Sequence, residues 1–254
     1  MIVAGSDSGG GAGIQADLKA VTMLGGFGMT AITALTAQNT QGVFGVHPVP
    51  PDFVIRQMRV VLDDIGADII KIGMLGSVEI TQAIADFLDT IPNIPVVLDP
   101  VMISTSGSTL LDHPGMLAMK ERLIPRALLV TPNLREAERL TGRQVSTVSD
   151  METVAADLLE AGAQGVLVKG GHLDGSELVD LLLASGIRAE FRHPRIDTKH
   201  THGTGCTLAS AIAAGLAQGL TVPQAAEIAC AYVQSAIRNA PGLGKGHGPL
   251  GIGK

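Results

Sequence analysis

The sequence predicts an α/β fold in which one mostly parallel β-sheet is flanked by α-helices on both faces. Short β-branched apolar runs alternate along the chain with longer stretches whose apolar residues recur at helical spacing. Hydrophobic residues make up 46% of the 254 residues and charged residues 17%, enough apolar material for a large buried core. Since open α/β folds of roughly 200–250 residues routinely form one unit, we expect a single domain over residues 1–254.

The parallel part of the sheet is predicted from short apolar runs bounded by Gly, Pro or polar residues. These runs are 1–4, 29–35, 68–72, 95–98, 127–130 and 165–168. Two further runs, 177–183 and 187–191, are joined by a short turn and predict an antiparallel pair. Stretches of helical period separate most strands, and these are 14–24, 52–64, 78–89, 114–123, 134–141, 151–161, 205–218 and 223–238. We expect the glycine-rich end, 242–254, to be irregular, with a disordered tail over about 248–254.

Overall charge and cysteine content exclude several classes of partner. The formal net charge is −6 and Lys and Arg form no run, so the sequence predicts neither nucleic-acid nor membrane binding. No apolar stretch is long enough to span a bilayer and the first residues do not resemble a signal peptide, which predicts a cytoplasmic protein. Cys206 and Cys230 are too few for a disulfide framework, and Cys230 lies in an apolar helical stretch as a core residue. We therefore expect a small-molecule partner.

Polar and glycine-rich residues follow six of the predicted strands. In open α/β sheets, ligands bind outside the carboxyl ends of the strands, so these residues are the first candidates for a site. They are 5–7, 38–39, 73–74, 99–100, 131–133 and 169–171. We expect all six strand ends to converge on one cleft.

The strongest local motif is Gly203, Thr204, Gly205 and Cys206, which leads directly into a helix of small residues. Glycines in such a loop let several backbone N–H groups point at one place, and a helix N-terminus there forms an anion hole for a transferring phosphoryl group. A helix-capping glycine turn is the alternative for the loop, and a buried small hydrophobe is the alternative for Cys206. At a helix N-terminus, the pKa of the Cys206 thiol is expected to fall below its free value of about 8.5.

Asp99, Asn133 and Glu136 predict a metal site. Asp99 at a strand end can reach a hydrated Mg²⁺, and Asn133 and Glu136, three apart at a helix start, can orient waters on that ion. The alternative for Asn133 and Glu136 is a capping box, and Asp99 before Pro100 also suits a turn. Both roles can coexist.

The N-terminal glycine loop over residues 5–13 resembles a phosphate cradle. It matches neither the dinucleotide-binding nor the Walker pattern, so we expect its backbone to contact a substrate ring or phosphate, with Gly5 at its start and Asp17 closing over it. A flexible turn without a ligand is the alternative. Gln38 carries both donors and an acceptor, which suit the edge of an aminopyrimidine, although a buried amide with its own partners explains it equally well.

Read together, these segments resemble the hydroxymethylpyrimidine/phosphomethylpyrimidine kinase family of the ribokinase-like superfamily. The resemblance covers essentially the whole chain. It is carried by 4–19, 33–43, 71–75, 98–102, 131–140, 168–172, 202–212 (HGTGCTLASAI) and 244–250. Eight segments in order are far more specific than any one of them.

The resemblance implies a ribokinase-like sheet flanked by helices, the use of ATP and Mg²⁺, and a homodimer. It implies that Gln38 binds the pyrimidine, with Met74 and Val101 packing on the ring. It further implies that Gly203 to Cys206 form the anion hole, that Asp99 and Glu136 serve the metal, and that Lys169 and Asn133 serve the nucleotide. Cys206 stands where most sugar kinases of the superfamily place an aspartate base.

Three other functions are weighed against a kinase of hydroxymethylpyrimidine and its monophosphate. A pyridoxal kinase of the same superfamily also phosphorylates a hydroxymethyl group on a nitrogen ring, and Gln38 and Met74 favour the pyrimidine. A nicotinamide-dependent oxidoreductase needs a GxGxxG turn with an acidic residue about 20 positions later, and the sequence has no such pair. A catalytically silent pyrimidine-binding module does not need the metal cluster or the GTGC loop, which are both present.

Overall fold

The computed structural model of the chain contains one nine-stranded sheet in the order β3-β2-β1-β4-β5-β6-β7-β8-β9. It describes residues 1–104, 107–171, 177–184 and 186–251. Residue 172, at the end of the predicted motif 168–172, and residues 252–254 of the predicted tail lie outside this range. The strands are β1 (Ile2–Asp7), β2 (Thr30–Asn39), β3 (Gly42–Pro48), β4 (Ile70–Ile72), β5 (Val96–Leu98), β6 (Leu129–Val130), β7 (Gly165–Val168), β8 (Glu177–Ala184) and β9 (Ile187–Pro194).

The fold class predicted from the sequence is confirmed. Strands β1, β2 and β4 to β7 run parallel, and β3, β8 and β9 are antiparallel to their neighbours. The helices are α1 (Gly13–Met23), α2 (Pro51–Asp64), α3 (Val78–Asp89), α4 (His113–Ala118), α5 (Leu134–Thr141), α6 (Val148–Glu160), α7 (Thr204–Ala217) and α8 (Val222–Arg238). The helix predicted over 114–123 is α-helical only to Ala118 and continues as a π-helical turn, Met119–Leu123, and a 3-10 turn, Ile124–Arg126.

Alternate side chains of the sheet pack under helices on opposite faces. Leu98 belongs to the core beneath helices α2 to α6. Its neighbour Val97 belongs to the core beneath α7 and α8, and α1 completes that face. Such two-sided burial explains why the parallel strands are mostly apolar in the sequence. No helix in the described parts of the chain is both long and apolar enough to cross a bilayer.

Strand β3 is the one strand of the structure that the sequence analysis missed. It forms an antiparallel hairpin with β2 and is the edge of the sheet, so Phe44 is 71% and Val46 44% exposed. The prediction relied on buried apolar runs and therefore passed over an exposed strand. The same pairing extends β2 to Asn39, beyond the predicted end at residue 35.

The glycine-rich end is irregular over its described part, residues 242–251, and its last residues are packed against the sheet and helices. Pro249 forms a β-bridge with His202. Leu250 is buried, and the N–H of Gly251 donates to the carbonyl oxygen of Ala236 in α8. Residues 248–251, in the segment expected to be disordered, are therefore held against α8 and His202, beside the GTGC loop.

Candidate active site

A cleft of about 530 Å³ opens at the carboxyl ends of the parallel strands. Every predicted site residue except Asp17 lines it, and these are Gly5, Gln38, Met74, Asp99, Val101, Asn133, Glu136, Lys169, Gly203, Thr204, Gly205 and Cys206. Met74 is almost fully buried, and its sulfur would be only 2.9 Å from a Cβ added at Gly5. The absence of a side chain at Gly5 therefore leaves room for Met74 in the apolar wall of the cleft.

The N-terminus of α7 points into the centre of the cleft. Gly203 precedes the helix with a φ of +85°, a left-handed conformation that favours glycine. Helix geometry leaves the N–H groups of Gly205 and Cys206 without intrahelical acceptors. A Cβ added at Gly205 would lie 3.2 Å from Lys169 Nζ and 3.7 Å from Asp99 Oδ2. Free N–H groups and an ammonium thus meet at one place, which suits a phosphoryl group.

Two glycines bring backbone segments into direct contact at this end of the sheet. A Cβ added at Gly203 would overlap the carbonyl oxygen of Gly11 in the N-terminal glycine loop. A Cβ added at Gly170, next to Lys169, would overlap the carbonyl oxygen of Val179 in β8. No other residue type fits at either position without moving the backbone.

The structure corrects the prediction that Cys206 has a depressed pKa. Burial raises the pKa of the Cys206 thiol to about 12, although Lys71 acts in the opposite direction. Loss of solvent around the thiol therefore outweighs the helix N-terminus. In the ligand-free protein, Cys206 is a neutral thiol at physiological pH.

Lys169, Asp99 and Glu136 form one buried charge cluster. Lys169 Nζ lies 3.0 Å from Asp99 Oδ1 and 3.7 Å from Glu136 Oε2. Although burial acts to lower it, the two carboxylates hold the pKa of Lys169 above its usual value. Burial raises the pKa of Glu136 to about 7, and Lys169 opposes that rise. A lysine kept charged in this way can contact phosphate oxygens.

Asn133 and Glu136 form the capping box that was the alternative for them, and they also lie at the cleft. The Asn133 side chain accepts the N–H of Glu136 at 2.9 Å, and Glu136 Oε2 accepts the N–H of Asn133 at 2.7 Å, which completes a capping box on α5. Both residues also line the cleft beside Lys169. The cap fixes the direction in which the Glu136 carboxylate faces.

The residues at this end of the cleft fit a hydrated divalent cation. Asp99 Oδ2 is buried and has no hydrogen-bond partner among the described residues, although its other oxygen binds Lys169. A buried carboxylate oxygen without a partner is costly unless a cation or ordered water satisfies it. Carboxylate oxygens are the ligands that Mg²⁺ prefers, and it usually keeps several of its waters.

Gln38 faces the cleft and lies against the side chains of Thr36 and His202. Its Oε1 accepts the Thr36 hydroxyl at 3.1 Å, and its Nε2 lies 3.2 Å from His202 Nε2. His202 Nε2 also lies 3.0 Å from Asp7 Oδ2. The amide of Gln38 is half-buried, so its edge is both oriented by the protein and open to a ligand.

Asp7 and His202 organise the glycine loop, and sequence reasoning assigned neither of them a role. Asp7 accepts the N–H groups of Gly9, Gly11 and Ala12 at 2.8–3.0 Å. Burial acts to raise the pKa of Asp7, but hydrogen bonds from His202 and this loop lower it below its usual value. Asp7 lies at a strand end and His202 directly before the GTGC motif, and both positions could have indicated a role in the site. Their contact across 195 positions could not be predicted from the sequence.

The prediction that Asp17 closes over a substrate is wrong. Asp17 is fully buried beneath the cleft, where it binds Lys71 Nζ at 2.9 and 3.0 Å and accepts the Ser210 hydroxyl at 2.7 Å. It lies in the first half of α1, on the face that packs against α7, so its side chain points away from the loop. Through Lys71 and Ser210, Asp17 connects α1 to β4 and to α7 beneath Cys206.

The sequence of the chain matches one protein-family model and is similar to the sequences of known proteins. The model of the phosphomethylpyrimidine kinase family matches residues 7–251. The chain is 46% identical over 250 residues to the hydroxymethylpyrimidine/phosphomethylpyrimidine kinase of Bacillus subtilis, covering 98% of this chain and 92% of that protein. It is 52% identical over 250 residues to a bifunctional thiamine biosynthesis protein of Geobacter sulfurreducens, of which it spans 51% of the length.

Two solved structures show the same fold. The ADP complex of Bacillus subtilis pyridoxal kinase has a TM-score of 0.92 at 36% identity and covers 99% of this chain and 96% of its own. The phosphomethylpyrimidine kinase of Clostridium difficile has a TM-score of 0.83 at 42% identity and covers 93% of this chain and 97% of its own. With a family match over nearly the whole chain and a cleft built for a phosphoryl group, the chain is a kinase that belongs to the phosphomethylpyrimidine kinase family.

Proposed function

We propose that the protein transfers the γ-phosphoryl group of ATP first to hydroxymethylpyrimidine and then to its monophosphate, in thiamine biosynthesis. One observation carries the proposal: the N-terminus of α7, Lys169 and Asp99 meet in a single cleft that Gln38 also lines. Relatives named for both phosphorylations, such as the Bacillus subtilis kinase, support the choice of substrate.

Phosphoryl transfer depends mainly on positioning and on neutralising charge. The N–H groups at the start of α7 would stabilise the transferring group, and Lys169 would hold the phosphates of the nucleotide. Asp99 and Glu136 would hold Mg²⁺, which neutralises charge on the phosphates when it is bound. Cys206, at the same helix start, would accept the proton of the attacking hydroxyl group in its thiolate form, which is a small fraction at neutral pH because burial raises the pKa of the thiol.

The substrate is tested by an ADP-release assay with Mg-ATP. Hydroxymethylpyrimidine, its monophosphate, pyridoxal, pyridoxamine and ribose are compared at matched concentrations. The proposal predicts turnover of the first two and a lower kcat/KM for pyridoxal. A higher kcat/KM for pyridoxal would identify the protein as a pyridoxal kinase. The TM-score of 0.92 to the Bacillus subtilis pyridoxal kinase is the observation that favours this second function. No turnover of any compound would favour a binding module.

Glu136→Gln is expected to lower turnover at least about tenfold at limiting Mg²⁺ while the fold is retained. Glutamine at this position can still accept the N–H of Asn133, so we expect the free energy of unfolding to change by less than about 1 kcal/mol. Because the pKa of Glu136 is about 7, wild-type turnover should also fall as the pH drops below 7 and the carboxylate is protonated. The variant should lack that part of the pH profile.

A second capping box provides the matched control for Glu136. Asp150 caps the start of α6 with Thr147, is half-buried, and lies outside the cleft. Asp150→Asn should leave the Mg²⁺ dependence of turnover unchanged. If Glu136→Gln keeps full turnover at limiting Mg²⁺, Glu136 is only a helix cap.

Gln38→Ala is expected to weaken pyrimidine binding by about 1–3 kcal/mol and ATP binding far less, since it removes a hydrogen-bonding partner of the ring. Calorimetric titration with each ligand measures both affinities. Gln57→Ala is the control, because Gln57 binds the backbone of Ile32 in β2 and does not line the cleft. Equal losses for both ligands would assign Gln38 a structural role.

We propose a homodimer that uses the edge formed by β3. The exposed apolar side chains Phe44 and Val46 lie on the edge strand β3, where another copy can cover them. Phe44→Glu should weaken the dimer at least about tenfold in sedimentation, a cost of about 1.4 kcal/mol. Phe27→Glu, at an exposed position outside the hairpin, should not. A monomeric wild type would reject the proposed homodimer.

The cytoplasmic location of the protein and its folding as a single domain also stay predictions.

A further inference from the structure

Three potential metal ligands lie together at the end of the cleft formed by β8, β9 and α8. They are Asp180 on β8, His193 on β9 and Cys230 on α8, and their ligand atoms all lie within 4.8 Å of one another. All three residues line the cleft, and the phosphoryl-transfer chemistry uses none of them. Cys230 is also buried in the core beneath α7 and α8, as its apolar helical stretch predicts.

The spacing of these atoms suits a tetrahedral ion. Cys230 Sγ lies 3.6 Å from Asp180 Oδ2. A tetrahedral zinc ion with a sulfur ligand at about 2.3 Å and an oxygen ligand at about 2.0 Å places those two atoms roughly 3.5 Å apart. The observed separation therefore needs little adjustment to accept the ion.

The third candidate ligand has one ring nitrogen without a partner in the described part of the chain. His193 Nε2 is buried and forms no hydrogen bond with a described residue. A buried imidazole nitrogen without a partner carries a desolvation cost that metal coordination would remove. Asp180 is already oriented, because its Oδ1 accepts the N–H of Gly170 at 2.8 Å and leaves Oδ2 facing Cys230. Such a second hydrogen bond on a ligating carboxylate is typical of protein metal sites.

We propose that Asp180, His193 and Cys230 bind one soft divalent cation of the zinc class, with its fourth position open to the cleft. A thiolate and an imidazole select such an ion over Mg²⁺, which prefers oxygen ligands alone. The carboxylate and the thiolate balance the two positive charges of the ion. Three protein ligands and one open position are the arrangement of accessible zinc sites.

Binding requires that the ligands lose their protons. Burial raises the pKa of both Asp180 and Cys230, and the Cys230 thiol therefore keeps its proton near neutral pH in the metal-free protein. On binding, the S–H bond breaks, a metal–sulfur bond forms and the proton passes to solvent. Affinity should therefore rise with pH, and proton release should accompany binding.

Co²⁺ tests the site because a cobalt–thiolate bond gives a charge-transfer absorption band that Mg²⁺ does not. Titration of the wild type should give this band at one ion per chain, and Zn²⁺ should displace it. Cys230→Ala should abolish the band, and His193→Gln should weaken Co²⁺ binding at least about tenfold. Cys206→Ala, which removes the other cysteine, should keep the band.

Circular dichroism establishes that each variant is folded, so a lost band reports on the ligand and not on unfolding. A band that is absent from the wild type overturns the proposal, and so does a band that survives Cys230→Ala. In either case, the contact between Cys230 and Asp180 is only a thiol–carboxylate hydrogen bond. Since the readout is metal binding, it does not depend on the proposed kinase substrate.

Discussion

Replacing Cys206 with alanine is expected to slow phosphorylation of hydroxymethylpyrimidine by about 10²–10⁴-fold, the usual effect of a general base. The neutral hydroxymethyl group must lose a proton as it attacks the phosphoryl group. Phosphorylation of the monophosphate should be affected far less, because its attacking oxygen is already an anion above the second phosphate pKa of about 6. The alanine variant keeps the backbone N–H groups of the anion hole, on which both steps depend.

The raised pKa of Cys206 adds a pH test of the same role. Since the thiol has a pKa of about 12, its thiolate fraction is small at neutral pH and grows with pH. The first phosphorylation by the wild type should accelerate by up to about tenfold per pH unit over the alkaline range, as expected for one ionising base. Cys206→Ala should lose this dependence.

Single-turnover rates with saturating Mg-ATP measure each step separately. Cys230→Ala is the matched control, because it removes the other thiol, which lies at the α8 end of the cleft, and should keep the ratio of the two rates. Equal losses in the two steps for Cys206→Ala would reject the base role. Cys206 would then be a packing residue of the helix start.

Lys71→Met is expected to lower the free energy of unfolding by about 3–5 kcal/mol, the usual cost of breaking a buried ion pair. Lys71 and Asp17 are both at most 1% exposed, and Asp17 would be left as a buried carboxylate without its counterion. Asp17 keeps the pKa of Lys71 above its usual value even though burial acts to lower it, so the lysine is charged in the wild type. Denaturant titration followed by circular dichroism measures the loss, since the chain has no Trp.

Two further variants separate charge burial from packing. Asp17→Leu combined with Lys71→Met removes both charges, and should recover at least about 1 kcal/mol relative to Lys71→Met alone. Lys19→Met, on the same helix as Asp17 but exposed, should change stability by less than about 0.5 kcal/mol. If Lys71→Met costs no more than Lys19→Met, the buried pair does not stabilise the fold.

The parallel sheet was predictable because each of its strands contains a short, mostly apolar run. Strand β3 was not predictable, because Phe44 and Val46 face solvent. Its pairing with β2 depends on a turn instead of a buried face. The π-helical turn after α4 has no pattern in the sequence that distinguishes it from a continuing helix. Local periodicity therefore predicts the buried elements better than the exposed ones.

The cleft was predictable where its residues belong to contiguous motifs, as Gly203 to Cys206 do. Contacts between segments that are distant in the sequence were not predictable. Lys71 lies between two buried isoleucines in β4, but nothing in the sequence identified Asp17 as its partner. The shift in the pKa of the Cys206 thiol was predicted in the wrong direction. The sequence shows that Cys206 lies at a helix start, but it does not show that the thiol is buried.

The contacts of Gly203 with Gly11 and of Gly170 with Val179 have a consequence for enzyme engineering. At these points the main chain itself forms the wall, so a randomised library that varies either glycine would consist largely of misfolded members. Substrate range can be redesigned instead through side chains that end in the cleft, such as Gln38 and Val101. Saturation of those two positions, with both glycines fixed, gives a small library in which most members should still fold.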